Sequence, residues 1–120
     1  VFTGVFNFFN MNNPILEARG ISKSFGTTKA LDNVDFFLEK GIIHGLLGEN
    51  GAGKSSLMNI LSGIYLPEKG IIKIDGVLVN RLNPDLASSF GIGMVHQEFR
   101  LIDSFSIKDN LKWLDFSKKY

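Results

Sequence analysis

Apolar positions recur along this chain in two rhythms. Ile15–Ser22 and Val34–Leu38 read as strands, separated by a turn at Gly26. Gly41 then opens Ile42–Leu47, a short apolar run bounded by glycines, the pattern of a strand buried in a parallel sheet. After the glycine-rich stretch Gly48–Gly53 the rhythm becomes helical. Leu57, Ile60 and Leu61 share one face of Lys54–Ser62, and Gly63 is a natural stop. Ile71–Ile74 returns to strand and is closed by the turn pair Asp75-Gly76. Asn83-Pro84 predicts an N-cap with proline in the first turn of a short helix ended by Gly91. Ile92–Val95 predicts a further strand running into His96-Gln97. Ser106 predicts the cap of a last helix, with Ile107, Leu111 and Leu114 on one face.

Composition narrows the class without changing that outline. The chain has 120 residues, 44% hydrophobic and 21% charged, the balance of an ordinary globular domain. A net charge of +1 gives no electrostatic case for nucleic acid or an anionic membrane surface. With no cysteine there are no disulfides and no thiolate metal sites, which fits a cytosolic setting. No apolar run approaches the roughly 20 residues of a spanning helix, so any membrane role goes through a partner. Val1–Asn10, VFTGVFNFFN, is rich in Phe and uncharged, without the basic start or cleavage site of a signal peptide. Residues 1–10 are expected to be extraneous or disordered, with Met11 the natural start; a short interfacial segment is the alternative.

The chemistry sits in Gly48–Ser55, GENGAGKS, which fits the P-loop pattern G-x-x-x-x-G-K-[ST] at Gly48, Gly53, Lys54 and Ser55. Glycines let successive backbone N–H groups turn into one concavity. The helix behind adds its free N–H groups and its positive dipole end. In this pattern Lys54 reaches the β- and γ-phosphates of a nucleotide, the Ser55 hydroxyl binds Mg²⁺, and Ser56 offers one more hydroxyl. Glu49, Asn50, Gly51 and Ala52 complete the phosphate-binding loop. Its position after a predicted buried strand and before a predicted helix is the context the pattern demands. The two histidines form no metal constellation. His44, within the strand before the loop, is expected to be a packed or hydrogen-bonded scaffold residue, and His96 is assigned no catalytic role.

From Ile15 to Leu111 the sequence resembles the ATP-binding subunit of ABC transporters. Leu46–Gly76, LLGENGAGKSSLMNILSGIYLPEKGIIKIDG, is similar to that family's P-loop, helix and following hairpin. Gly91–Leu111, GIGMVHQEFRLIDSFSIKDNL, resembles its Q-loop segment, and Ile21–Phe36, ISKSFGTTKALDNVDF, its aromatic A-loop region. The wording HQEF after GIGMV is similar to simple-sugar and nucleoside importers, where two cassettes often share one chain. The resemblance implies an α/β P-loop NTPase fold: the N-terminal part of an ABC ATPase domain, with antiparallel strands, a partial parallel core sheet and helices. It implies ATP and Mg²⁺ as ligands. Phe25 takes the place of the residue that stacks on adenine, where the family more often has Tyr. Gln97 takes the place of the residue that contacts Mg²⁺ and the attacking water and, with Lys54, serves catalysis. The plainer alternatives are a core phenylalanine and loop chemistry.

The resemblance also implies partners: a membrane permease subunit, a second ATP-binding cassette, no nucleic acid, and a peripheral place on the cytoplasmic face of the membrane. Residues 11–120 are expected to form a partial domain. They hold no LSGGQ-like signature, no second apolar strand ending in Asp-Glu and no later switch histidine; Leu61-Ser62-Gly63 imitates only the start of the signature. The intact parent is therefore expected to be an ATPase driving uptake of a sugar or nucleoside, and the 120 residues alone to be inactive. The alternatives are a non-functional truncated gene product and a non-transport ABC-type ATPase.

Overall fold

The computed structural model describes residues 14–95 and 104–110. Residues 1–10, and Leu111 and Leu114 of the expected last helix, lie outside them. Two twelve-residue strands, β1 (Pro14–Phe25) and β2 (Thr28–Glu39), form an antiparallel hairpin. Helix α1 (Lys54–Leu61) follows, then β3 (Lys69–Ile74), β4 (Val77–Val79) and helix α2 (Pro84–Ser89). The sheet order is β2-β1-β3-β4, and every ladder in it is antiparallel.

Both long strands outrun their sequence-predicted lengths because their alternation changes phase midway. In β1 the buried residues are Leu16 and Ala18, then Ile21; in β2 they are Leu31, then Val34 and Phe36. The register shifts between Ala18 and Ile21, where Gly20 adopts φ +64° and Asn33 across from it φ +51°. A bulge of this kind inserts a residue and flips the side chains beyond it to the other face. The irregularity is held by polar bonds. The Gly20 N–H donates to Asp35 Oδ1 at 2.7 Å and the Asn33 N–H to Ser22 Oγ at 3.0 Å. Because both strands shift together, their apolar residues keep facing the same core as Ile72 and Ile74 of β3 and Leu57, Ile60 and Leu61 of α1.

The punctuation follows the sequence. α1 ends in a Schellman arrangement, with Gly63 N–H on the Ile60 carbonyl (3.0 Å) and Ile64 N–H on that of Asn59 (2.8 Å). Asp75 and Gly76, both with positive φ, make the two-residue β3–β4 turn. Asn83 Oδ1 accepts the Leu86 N–H at 2.8 Å, capping α2. Ser106 Oγ accepts the Asp109 N–H at 3.2 Å, the cap expected there.

Two expected strands are absent from the ladders. Ile42–Leu47 and Ile92–Val95 carry no strand pairing. A strand is defined by a neighbour's hydrogen bonds, and among the described residues no strand forms a ladder with either run. Each still shows one inward side. His44 and Leu46 are half-buried while Ile43 and Leu47 are 99% and 88% exposed; Ile92 packs on the core while Val95 is exposed. Their outward apolar residues are those that a sheet covered on both faces would bury.

Candidate functional site

The P-loop leaves the unpaired run at Leu47 and closes on α1. Ala52 N–H donates to the Glu49 carbonyl at 3.2 Å, turning the loop, and Gly51 and Gly53 adopt φ +80° and +93°. Gly53 is the N-cap of α1 and offers no side-chain cap; its carbonyl takes the Leu57 N–H at 2.9 Å. The first-turn N–H groups of Lys54, Ser55 and Ser56 therefore precede the helix's own bonding and form its positive end. Gly53 also presses on β2. A Cβ there would meet the Ala30 carbonyl oxygen at 2.4 Å and Leu31 Cδ2 at 3.0 Å. Only a residue without a side chain lets the helix start sit this close to the strand.

Lys54 folds back over the loop. Its Nζ donates to the carbonyls of Gly48 at 2.6 Å and Glu49 at 2.7 Å, which hold the ammonium beside the concavity. Between loop and strand lies a cleft of about 520 Å³ lined by Thr28, Lys29 and Ala30 on one wall and by Asn50, Gly51, Gly53, Lys54, Ser55 and Ser56 on the other. An ammonium, two hydroxyls and a helix N-terminus on one wall suit an anion with several oxygens. The same set would suit Mg-ATP, since the Ser55 hydroxyl is exposed on the cleft, where it could reach the ion. Among the described residues no three His, Cys, Asp or Glu side chains gather as a metal site.

Of the predicted site residues the structure brings together Asn50, Gly51, Gly53, Lys54, Ser55 and Ser56; Gly48 and Glu49 act through the carbonyls that hold Lys54, and Ala52 packs against the core. Phe25 stands just beyond the cleft. It is the cross-strand partner of Thr28, so it shares a sheet face with a residue of the cleft wall. The residue is 43% exposed, and its ring meets Tyr65 edge-to-face with centroids 5.2 Å apart and lies 5.5 Å from Lys23 Nζ. Phe25 thus stands outside the buried core of the described residues. Gln97 and His96 lie outside the described residues. His44 Nε2 accepts the Glu39 N–H at 3.1 Å and so ties the end of β2 to the run before the loop, the scaffold role expected of it. Sequence reasoning missed the wall of Thr28, Lys29 and Ala30. The small residue at 30, five beyond Phe25, was its one available signal.

Comparison with known proteins places the chain in a family. A family model described as ABC transporter matches residues 31–120. The chain is 48% identical over 101 residues to the ribose import ATP-binding protein RbsA 2 of Rhizobium etli, covering 84% of this chain and 20% of that protein. It is 48% identical over 97 residues to the guanosine import ATP-binding protein NupO of Bacillus subtilis, covering 81% and 19%. The chain thus spans about a fifth of the length of the curated relatives it matches. Among solved structures it resembles the dimeric MJ0796, a bacterial ABC transporter cassette (TM-score 0.71, 26% identity, 86% of this chain and 47% of that one). It also resembles the ADP conformation of MJ1267, an ATP-binding cassette of an ABC transporter (TM-score 0.62, 32% identity, 65% and 31%). These neighbours carry the α/β P-loop fold expected from the sequence, of which the described residues supply the antiparallel sheet, the P-loop and its helix. With its glycine loop seated at the start of α1 and the family match running from β2 onward, this chain belongs to the ABC transporter family.

Proposed function

We propose that these residues hold the adenine and phosphates of Mg-ATP in the energy-coupling subunit of an importer, and that hydrolysis by the intact protein drives uptake of a sugar or nucleoside. The observation that carries this reading is the Lys54 ammonium, fixed on two P-loop carbonyls beside a cleft that the start of α1 lines. Ribose and guanosine import in the names of the relatives support the solute class. Lys54 and the first-turn N–H groups bind the phosphates, Ser55 holds Mg²⁺, and Phe25 stacks on the base. Gln97 would position the water and, with Ser55, would hold the Mg²⁺. Bound Mg²⁺ supplies charge neutralisation of the phosphates.

Hydrolysis needs a polarised water as well as a phosphate cradle. The sequence holds no Asp-Glu strand and no signature, so the 120 residues alone bind ATP without appreciable turnover. A permease subunit and a second cassette, in tandem or as a dimer, are the partners of the intact protein, which sits peripherally on the cytoplasmic face of the membrane. Among the described residues no helix is long and apolar enough to cross it. The test is ATP hydrolysis by the intact protein reconstituted with its permease. Turnover and uptake are expected to vanish with Lys54→Ala, and turnover unaffected by that change would overturn the reading. Hydrolysis by the 120-residue chain, at a rate lost on Lys54→Ala, would overturn the expected inactivity of the chain alone.

A further inference from the structure

The two ends of the nucleotide site are tied together by a loop to which no site role has been given. Residues 64–68 run from the end of α1, the helix that begins at the P-loop, to the side of β1 that ends in Phe25. At one end the N–H groups of Ile64 and Tyr65 both donate to the Asn59 carbonyl of α1, at 2.8 and 3.1 Å. At the other end the Glu68 N–H donates to the Ser22 carbonyl at 2.9 Å, and the Ser24 N–H donates to Glu68 Oε1 at 3.1 Å. Between these anchors the Tyr65 ring meets the Phe25 ring at an interplanar angle of 65° and a centroid distance of 5.2 Å, within the favoured edge-to-face range.

Phe25 needs such support. It is the last residue of β1, at the tip of a hairpin, and it is 43% exposed, so the core does not fix its rotamer. A second neighbour, Lys23, reaches it by a long flexible arm from the same strand. Tyr65 comes from a separate segment, and that segment is bonded to the P-loop helix. We infer that Tyr65 and Glu68 are positioning residues for base recognition: they hold the Phe25 ring at a fixed place relative to the phosphate cradle. This rests on the proposed stacking of adenine on Phe25. A ring already in place spares the bound state the ordering of a free side chain.

The test compares two probes on the full 120-residue chain, Mg-ATP and magnesium tripolyphosphate, which has the phosphates and no base. Tyr65→Leu is expected to weaken Mg-ATP binding about 2- to 10-fold, the scale of an aromatic pair, and to leave tripolyphosphate binding unchanged. Tyr65→Phe, which keeps the ring edge, retains the wild-type ratio of the two affinities. Glu68→Ala is the second variant, with the same expected loss of ratio, and Glu68→Gln, which keeps an acceptor for Ser24, restores it. A loss of ratio in either variant, restored by its conservative partner, supports the inference. If both variants keep the wild-type ratio, or lower both affinities equally, while Phe25→Ala lowers the ratio, the positioning role is refuted and base stacking stands. If Phe25→Ala itself keeps the ratio, the stacking reading fails and the inference falls with it.

Discussion

The contact between Gly53 and Ala30 sets how closely the P-loop approaches the opposite wall of the cleft, and Gly53→Ala measures what that closeness requires. Two separate penalties act. At φ +93° an L-residue meets the left-handed penalty of about 1–2 kcal/mol. The new Cβ would also lie 2.4 Å from the Ala30 oxygen, about 1 Å inside ordinary contact, and the neighbour is backbone that cannot rotate away. Forcing one group too many into a packed site costs about 1–3 kcal/mol. Gly51 supplies the control. Its φ of +80° imposes the same conformational penalty, yet nothing lies within 4 Å of its Cβ position. Urea and thermal unfolding of the two alanine variants should therefore differ. Gly53→Ala is expected to be less stable than Gly51→Ala by at least about 1 kcal/mol, or at least about 4 °C in a domain of this size. Equal losses, within about 0.5 kcal/mol, would show that the contact with β2 does not set the loop's position.

Two further expectations concern the scaffold. Asn83→Ala removes the side-chain acceptor for Leu86 N–H and should cost about 1 kcal/mol by urea unfolding, most of it recovered by Asn83→Asp; no loss would mean that α2 does not depend on its cap. Leu57→Ala, at a wholly buried position, should cost about 2–5 kcal/mol, whereas Ile43→Ala, at a position 99% exposed, should stay within about 0.5 kcal/mol of wild type. A large loss at Ile43 would mean that the unpaired run is covered in solution.

The legibility of this chain was uneven for physical reasons. Local signals carried over directly: Asn83 caps α2, Gly63 stops α1, Asp75-Gly76 turns the β3–β4 hairpin, and Gly48–Ser55 closes on the start of a helix. Each depends on residues a few positions apart. The lengths of β1 and β2 did not carry over, because the bulge at Gly20 and Asn33 breaks a period-two pattern that only the pairing of the two strands restores. Ile42–Leu47 has the composition of a buried parallel strand, yet a ladder belongs to two strands, and one apolar run cannot announce whether a neighbour lies beside it. In the site, the loop side was readable from its motif. The β2 wall was not, since the closeness of Ala30 to Gly53 follows from packing between segments more than twenty residues apart.

The central claim is that Gly48–Ser55 holds the phosphates of a nucleotide, with Lys54 as their cation. The direct measurement is a calorimetric titration of Mg-ATP into the 120-residue chain and its Lys54→Ala variant. Among the described residues the partners of Lys54 are the Gly48 and Glu49 carbonyls of its own loop, so the variant should keep the wild-type unfolding midpoint. The account predicts saturable binding at one site in the wild type and its loss, by tenfold or more, in the variant. Equal binding by both folded proteins, or none by the wild type, would contradict it.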